Sequence, residues 1–400
     1  MRLPGTESDG SVPFLIYPKH CRELLCWKWC RPCIQCGDVR YSSSERKSTS
    51  EKAGWCSMNL IGKPSQMTVF DALYSIAAAD GRGEALFGES FDIARGAFER
   101  TLIGDDYPAV YIEFPLLGSP GFDLLSVHAS VRPGSRFAPG AGFGYQAMFD
   151  WFSGVCDKGV NASCGIEFDT SVGETERPGV YLQYRKHADL IAPFLKSIGE
   201  EARTESFLAV TNRMPEGWPA AYVGLFPGRA GTPLRVGGYL GSDVQKACAA
   251  DPALLGAHFD QIGFSSYNDE MLARCGELLS LAPSVDFRFD IMPDGTLGDV
   301  FGLSLSFNES MPREARVCME SGYGARICRT LQEWGLADDR WKLIAGAAFA
   351  RHVPFEREDG SEGRFALCCL FNYAKVKFAG GVAQPAKFYL RMSAGEVEAG

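Results

Sequence analysis

Between Val110 and Met392 one pattern recurs five times: two strand-like runs joined by a Gly/Pro turn, with helical stretches between successive pairs. The pairs read Val110–Leu117 with Phe122–Ser130, Cys164–Thr170 with Gly179–Lys186, Ala221–Phe226 with Leu234–Leu240, Val285–Met292 with Val300–Phe307, and Arg364–Phe378 with Ala386–Met392. In the last three, turn residues such as Pro227-Gly228, Pro293-Asp294-Gly295 and Gly380-Gly381 coincide with β-branched and aromatic enrichment on both sides. A lone hairpin is marginally stable in water, so the five have to join. A ten-strand antiparallel sheet then either exposes two long edges or closes into a barrel.

Helices are expected over Phe143–Val155, His187–Leu208 and Ser242–Leu281, the last as two helices capped by Ser242 and Asp243 and by Asn268 or Asp269. Another is expected over Pro312–Trp334, with Pro in its first turn and Gly335 at its end. Thr68–Ala79 and Phe91–Leu102 read as helices ahead of the first hairpin.

The strands alternate. Val285, Phe287, Phe289 and Ile291 oppose Asp286, Arg288 and Asp290, and Phe388, Leu390 and Met392 oppose Lys387, Tyr389 and Arg391. Successive side chains on a strand point to opposite faces, so each strand has a greasy face that the helices can cover. The polar face is solvent surface if the sheet is open and a wet interior if it closes. It carries seven cations, Arg185, Arg235, Arg288, Lys375, Lys377, Lys387 and Arg391, in a chain of net charge -9. Positive charge gathered inside an acidic protein implies an anionic ligand, and Arg and Lys suit phosphate oxygens. Tyr111, Tyr181, Tyr239, Tyr373 and Tyr389 add aromatic walls, and Glu113, Glu167, Gln183 and Asp290 share the face.

Five antiparallel pairs with helices outside and a polar interior resemble the ABBA prenyltransferase barrel. The likeness runs over Met67–Met392. It includes the acidic first strand Tyr111-Ile112-Glu113-Phe114, the Phe287–Phe307 hairpin with its Asp-Gly turn, and the terminal Ala386-Lys387-Phe388-Tyr389-Leu390. The last resembles the Lys-x-Tyr pattern that family members use at the prenyl diphosphate. No Arg-x-Lys-x-Tyr triplet stands in the middle hairpins, where Tyr181–Arg185 and Arg235–Tyr239 are looser. The resemblance implies an α+β fold, a closed ten-stranded antiparallel barrel of five ββ hairpins. It also implies an enzyme that transfers a prenyl group from an allylic diphosphate to a phenol, an indole or a peptide side chain.

On that reading Arg185, Arg235, Arg288, Lys375, Lys377, Lys387 and Tyr389 hold the diphosphate, and Tyr181, Tyr239 and Arg391 complete the binding surface. Glu113 orients or deprotonates the acceptor. No protein metal site is assigned, no cofactor is required by the sequence, and Mg2+ is a possible one whose need the sequence leaves open. The alternative is a non-catalytic barrel that binds an anionic or peptide ligand.

Other functions lack their signatures. An acidic chain makes a poor nucleic-acid binder. No apolar run reaches the ~18–20 residues a membrane helix needs. The glycines of Gly140-x-Gly142-x-Gly144 lack the strand–turn context of a dinucleotide site. There is no phosphate-binding Gly-x-x-x-x-Gly-Lys loop and no Asp-Asp-x-x-Asp. Six of fourteen cysteines precede residue 57; Cys30-x-x-Cys33-x-x-Cys36, with His20 nearby, has zinc-compatible spacing but no second ligand turn. Residues 1–57 therefore read as a Cys-rich, poorly ordered extension and 58–400 as one barrel domain. Scattered cysteines and no charged-then-apolar leader read as reduced thiols in a cytoplasmic protein.

Overall fold

The structure is a computed structural model, and it describes residues 60–61, 109–118, 124–130, 144–169, 178–309, 311–356 and 359–397. The Cys30–Cys36 cluster and the helices expected at Thr68–Ala79 and Phe91–Leu102 lie outside the described residues. Among those residues no helix is long and apolar enough to cross a membrane.

The strands are β1 (Leu60–Ile61), β2 (Ala109–Pro115), β3 (Leu124–Ser130), β4 (Ser163–Asp169), β5 (Gly179–Gln183), β6 (Ala220–Leu225), β7 (Leu234–Tyr239), β8 (Val285–Ile291), β9 (Leu297–Ser306), β10 (Phe349–Glu356), β11 (Glu362–Ala379), β12 (Val382–Ala383) and β13 (Lys387–Val397). The chain divides into two compact units. The smaller combines residues 1–64, 351–366 and 395–400; in it Leu60 and Ile61 pair in parallel with Phe355 and Glu356. The sequence pattern had not marked β10 as a strand.

The larger unit, residues 65–350 and 367–394, is a curled antiparallel sheet with helices. All five expected hairpins form, and neighbours in the sheet follow chain order from β2 through β9. β13 pairs with β2, β11 stands next to β13, and β9 pairs with β11 from Ser306↔Tyr373 to Val300↔Ala379.

One face is apolar along β2, β4 to β9, β11 and β13. The register sets Phe388 opposite Phe114, Leu390 opposite Ile112, and Phe289 opposite Phe301. Helix and loop residues cover this face. Trp218, before β6, lies 4.8 Å from the Phe287 ring, and Phe259 lies 4.8 Å from Phe301. All four rings are buried.

The helices are α1 (Gln146–Asp157), α2 (Ile191–Ser197), α3 (Thr204–Thr211), α4 (Ser242–Ala250), α5 (Pro252–Ile262), α6 (Asp269–Leu281), α7 (Pro312–Glu320), α8 (Tyr323–Glu333) and α9 (Trp341–Ile344). They are shorter than the sequence pattern suggests. The 187–208 stretch breaks at Gly199, whose φ of 84° ends α2 in the left-handed region. The 242–281 stretch is three helices. Asp251 is extended, as a residue before proline prefers to be, and its carboxylate accepts from the Ala253 N–H at 3.1 Å to cap α5. Gly263 closes α5 and Asn268 caps α6 by accepting from the Met271 N–H. Ser242 and Asp243 do not cap α4; its N-cap is Gly241, and no side chain caps it. The 312–334 stretch divides at Ser321-Gly322, where Gly322 is extended and starts α8.

Candidate functional site

The polar face gathers nearly all the residues singled out from the sequence. Across β13 and β2, Tyr389 opposes Glu113 and Arg391 opposes Tyr111. Going round the other way, Tyr181 opposes Gly224, Gly224 opposes Arg235, and Arg235 opposes Asp290. One row over, Gly237, Arg288, Gly302 and Lys377 stand side by side on β7, β8, β9 and β11. Tyr239, Asp286, Ser304 and Lys375 form the next row. Arg185 is the exception. β5 stops at Gln183 because the N–H groups of Tyr184 and Arg185 both donate to the Ala221 carbonyl at 2.9 Å. Arg185 sits in a turn with φ 52°, so the two-residue alternation no longer places it on this face.

Glu113 is the hub of one cluster. It is 2% exposed, and Lys375 Nζ donates to its Oε2 at 2.7 Å while Lys387 Nζ donates to its Oε1 at 2.8 Å. Lys375 Nζ also donates to the Tyr389 hydroxyl at 2.7 Å. Burial opposes ionisation of Glu113, but Lys375, Lys387 and Lys377 outweigh it and hold its carboxyl well below the usual range. Glu113 is thus the anion that lets two lysines stand close together.

Arg235 and Asp290 form a second closed pair. The guanidinium donates through Nε to Oδ1 at 2.9 Å and through Nη2 to Oδ2 at 3.2 Å. Burial raises the Asp290 pKa, but Arg235 reverses this and keeps it low. Arg235 and Arg229 both lie over the Phe226 ring, 4.4 and 4.2 Å from its centroid.

Two cations are not closed off. Arg288 is 6% exposed, yet its Nε and Nη2 have no hydrogen-bond partner among the described residues. Lys377, two positions along β11 from Lys375, makes no hydrogen bond or ion pair there either. Burial, reinforced by Arg288, Lys387 and Arg229, pushes the Lys377 ammonium down to about 7. Arg288 has room because its neighbour is Gly302, where a Cβ would overlap the guanidinium. Gly165 and Gly237 make the same room for the rings of Tyr181 and Tyr222.

Two carboxylates are also open. Asp286 Oδ1 is buried without a partner among the described residues, and burial pushes its pKa up to about 7. Glu167 makes no hydrogen bond or ion pair among them, and burial raises its pKa too.

The aromatic wall is Tyr111, Tyr373 and Tyr389, packed together. The rings of Tyr373 and Tyr389 lie 4.1 Å apart at 31°, and Lys375 Nζ stands 5.1 Å from the Tyr389 centroid. Tyr239 accepts from Gln183 Nε2 at 2.8 Å. Sequence reasoning passed over Tyr222 and Arg229. Tyr222 was findable, since it alternates correctly within β6. Arg229 lies in the β6–β7 turn, where no periodicity marks it.

Neither a family model nor a curated protein sequence matches the chain. Solved structures similar to it are the ABBA-type aromatic prenyltransferases that the sequence resembles. 5-Dimethylallyltryptophan synthase from Streptomyces coelicolor is 11% identical at a TM-score of 0.44, over 83% of this chain and 98% of that one. The prenyltransferase PriB, in a ternary complex with L-tryptophan and dimethylallyl thiolodiphosphate, is 10% identical at 0.42, over 82% and 96%. NotF prenyltransferase is 13% identical at 0.37, over 82% and 91%. At such scores, function has to be read from this chain's own side chains.

Proposed function

We propose that this chain transfers a prenyl group from an allylic diphosphate to an aromatic acceptor, inside a closed ten-strand barrel whose lumen is the polar face. Closure is supported by the pairing of β9 with β11, which returns the sheet to β13 and β2. The carrying observation is Arg288: a buried guanidinium with two unpartnered nitrogens and a glycine-made seat. A buried unsatisfied charge is costly unless a ligand completes it. Lys377 stands beside it on the far side of Gly302.

Arg288 and Lys377 receive the diphosphate, with Lys387 and the Lys375–Tyr389 pair at its edge. As the allylic C–O bond breaks, its electron pair passes to the phosphate oxygen. Fixed cations stabilise that growing charge more than the intact ester. The faces of Tyr373, Tyr389 and Tyr111 shield the allyl cation from water. Arg235, tied to Asp290, builds the wall. Among the described residues no three His, Cys, Asp or Glu are grouped to hold a metal, and Glu113 and Asp290 are engaged by cations. A protein-held Mg2+ therefore does not fit this set, and no step is routed through one.

The test is calorimetry with dimethylallyl diphosphate, followed by product analysis with tryptophan, tyrosine and simple phenols. Binding that Arg288→Ala weakens at least tenfold, together with a prenylated product, is expected. A wild-type protein that binds no allylic diphosphate overturns the reading.

A further inference from the structure

We propose that Glu167 is the base that takes the acceptor's proton. This rests on the prenyl-transfer reading above. In the ring of ten strands, β4 lies five steps from β9 in either direction, through β3, β2, β13 and β11 or through β5, β6, β7 and β8. Arg288 on β8 and Lys377 on β11 flank Gly302 on β9. Glu167 on β4, with Ser126 of β3 and Gly179 of β5 as its register partners, therefore faces the open cations from the opposite wall. An acceptor held between them has the donor carbon on one side and this carboxylate on the other.

Glu167 also reaches the interior. Its charge acts on Tyr222 of β6, Arg235 of β7 and Tyr373 of β11, and it feels Lys375, Arg235, Arg229 and Glu113. The other lumen carboxylates are excluded by geometry. Both oxygens of Glu113 accept from lysines, and both of Asp290 accept from Arg235. Asp286 is on β8, two residues from Arg288, and so belongs to the cation wall. Glu167 alone among these four is both unengaged and opposite. Burial raises its pKa, which makes it a stronger base than a surface carboxylate, and Lys375, Arg235 and Arg229 oppose that rise.

The step balances. A π pair of the acceptor forms the new bond to the allylic carbon, and the C–O pair leaves with the diphosphate. The acceptor's hydrogen departs as a proton to a Glu167 oxygen, and its bonding pair restores the aromatic ring. Glu167 then returns the proton to water.

The experiment compares wild type, Glu167→Gln, Glu167→Asp and Glu113→Gln with dimethylallyl diphosphate and each acceptor of the panel that wild type alkylates. Dimethylallyl thiolodiphosphate measures donor binding separately. Glu167→Gln should bind the thiolodiphosphate at least as tightly as wild type and melt no lower. Its kcat/KM should fall about 100-fold or more, the low end of general-base effects. The acid limb of the wild-type pH profile should vanish with it, and Glu167→Asp should recover part of both. Glu113→Gln should instead leave the acid limb in place. Turnover of Glu167→Gln within threefold of wild type, or an unchanged acid limb, overturns the assignment. A wild type that binds no donor, or alkylates nothing, fails before any variant is made, and that outcome defeats the transfer reading and this role with it.

Discussion

Replacing Gly302 with alanine separates anion binding from folding. The added methyl would overlap Arg288 Nε and come within 2.8 Å of Nη2 and 2.9 Å of Cγ. Contacts that short do not persist, so the guanidinium must swing away. Arg288 Nε and Nη2 have no partner among the described residues, so moving them breaks no protein hydrogen bond at those atoms. The folding cost is the side chain's rearrangement, about 1 kcal/mol at the low end of overpacking. The stiffer unfolded chain offsets about 0.4–1 kcal/mol of it. Stability should therefore stay within about 1 kcal/mol of wild type. Diphosphate binding loses a charged hydrogen-bonding group, worth about 1.5–3 kcal/mol. That is about 10- to 150-fold in Kd.

Gly238→Ala is the contrasting control. There the methyl would overlap the Pro219 carbonyl oxygen and lie 2.9 Å from its carbon. Backbone cannot rotate aside, so about 3 kcal/mol of stability should be lost. Urea unfolding and calorimetry with inorganic diphosphate read the two effects. If Gly302→Ala binds diphosphate as tightly as wild type, or is destabilised as much as Gly238→Ala, the seat for Arg288 has been misread.

Two further outcomes follow from the same charges and packing. Lys377, pushed down to about 7 by burial, has a folded value below that of an unfolded lysine. Between roughly pH 7 and 10 the unfolded chain then binds the extra proton, so stability rises with pH across that window; Lys377→Met should flatten the rise in urea midpoint and also remove the weakening of diphosphate binding above pH 7. Phe388 is fully buried, with the rings of Phe307, Phe371 and Phe114 5.2, 5.7 and 5.8 Å away, so Phe388→Ala should cost about 3–5 kcal/mol in urea unfolding. Lys387→Ala, which leaves Glu113 its bond to Lys375, should cost less than Phe388→Ala and weaken diphosphate binding; the reverse order would mean that β13 presents the opposite face.

The hairpins were legible because three local signals coincide in them: turn residues, β-branched and aromatic enrichment, and a period of two. The same period placed Glu113, Arg235, Arg288, Lys375, Lys377, Lys387 and Tyr389 on one face. It could not show where a strand stops, and so it carried Arg185 onto this face although β5 ends at Gln183. The helix breaks at Gly199 and Asp251-Pro252 were present as residues but were outweighed by the apolar spacing around them. Nor could periodicity separate the engaged charges from the open ones. Lys375 meets Glu113 across 262 positions of chain and Lys387 meets it across 274, contacts that exist only once the strands have come together. Before folding Glu113 reads as a free acid; after it, both its oxygens are taken.

The open carboxylate also distinguishes catalysis from storage. Arg288 and Lys377 suit any diphosphate, and a protein that only sequestered an anion would gain affinity by having no negative charge nearby. Glu167 is such a charge, facing the same interior without a neutralising partner among the described residues. At a separation of the order of 10 Å and an effective dielectric of about 20, one unit charge opposes another by about 1.7 kcal/mol. That weakens anion binding by more than tenfold. In a binding protein this is a pure loss. In a transferase it is the cost of a base on the acceptor's side, and the reaction returns it when the proton arrives. Glu167→Gln should therefore tighten inorganic diphosphate by about tenfold or more while kcat/KM falls about 100-fold or more, two opposite changes from one substitution that a storage protein would not give.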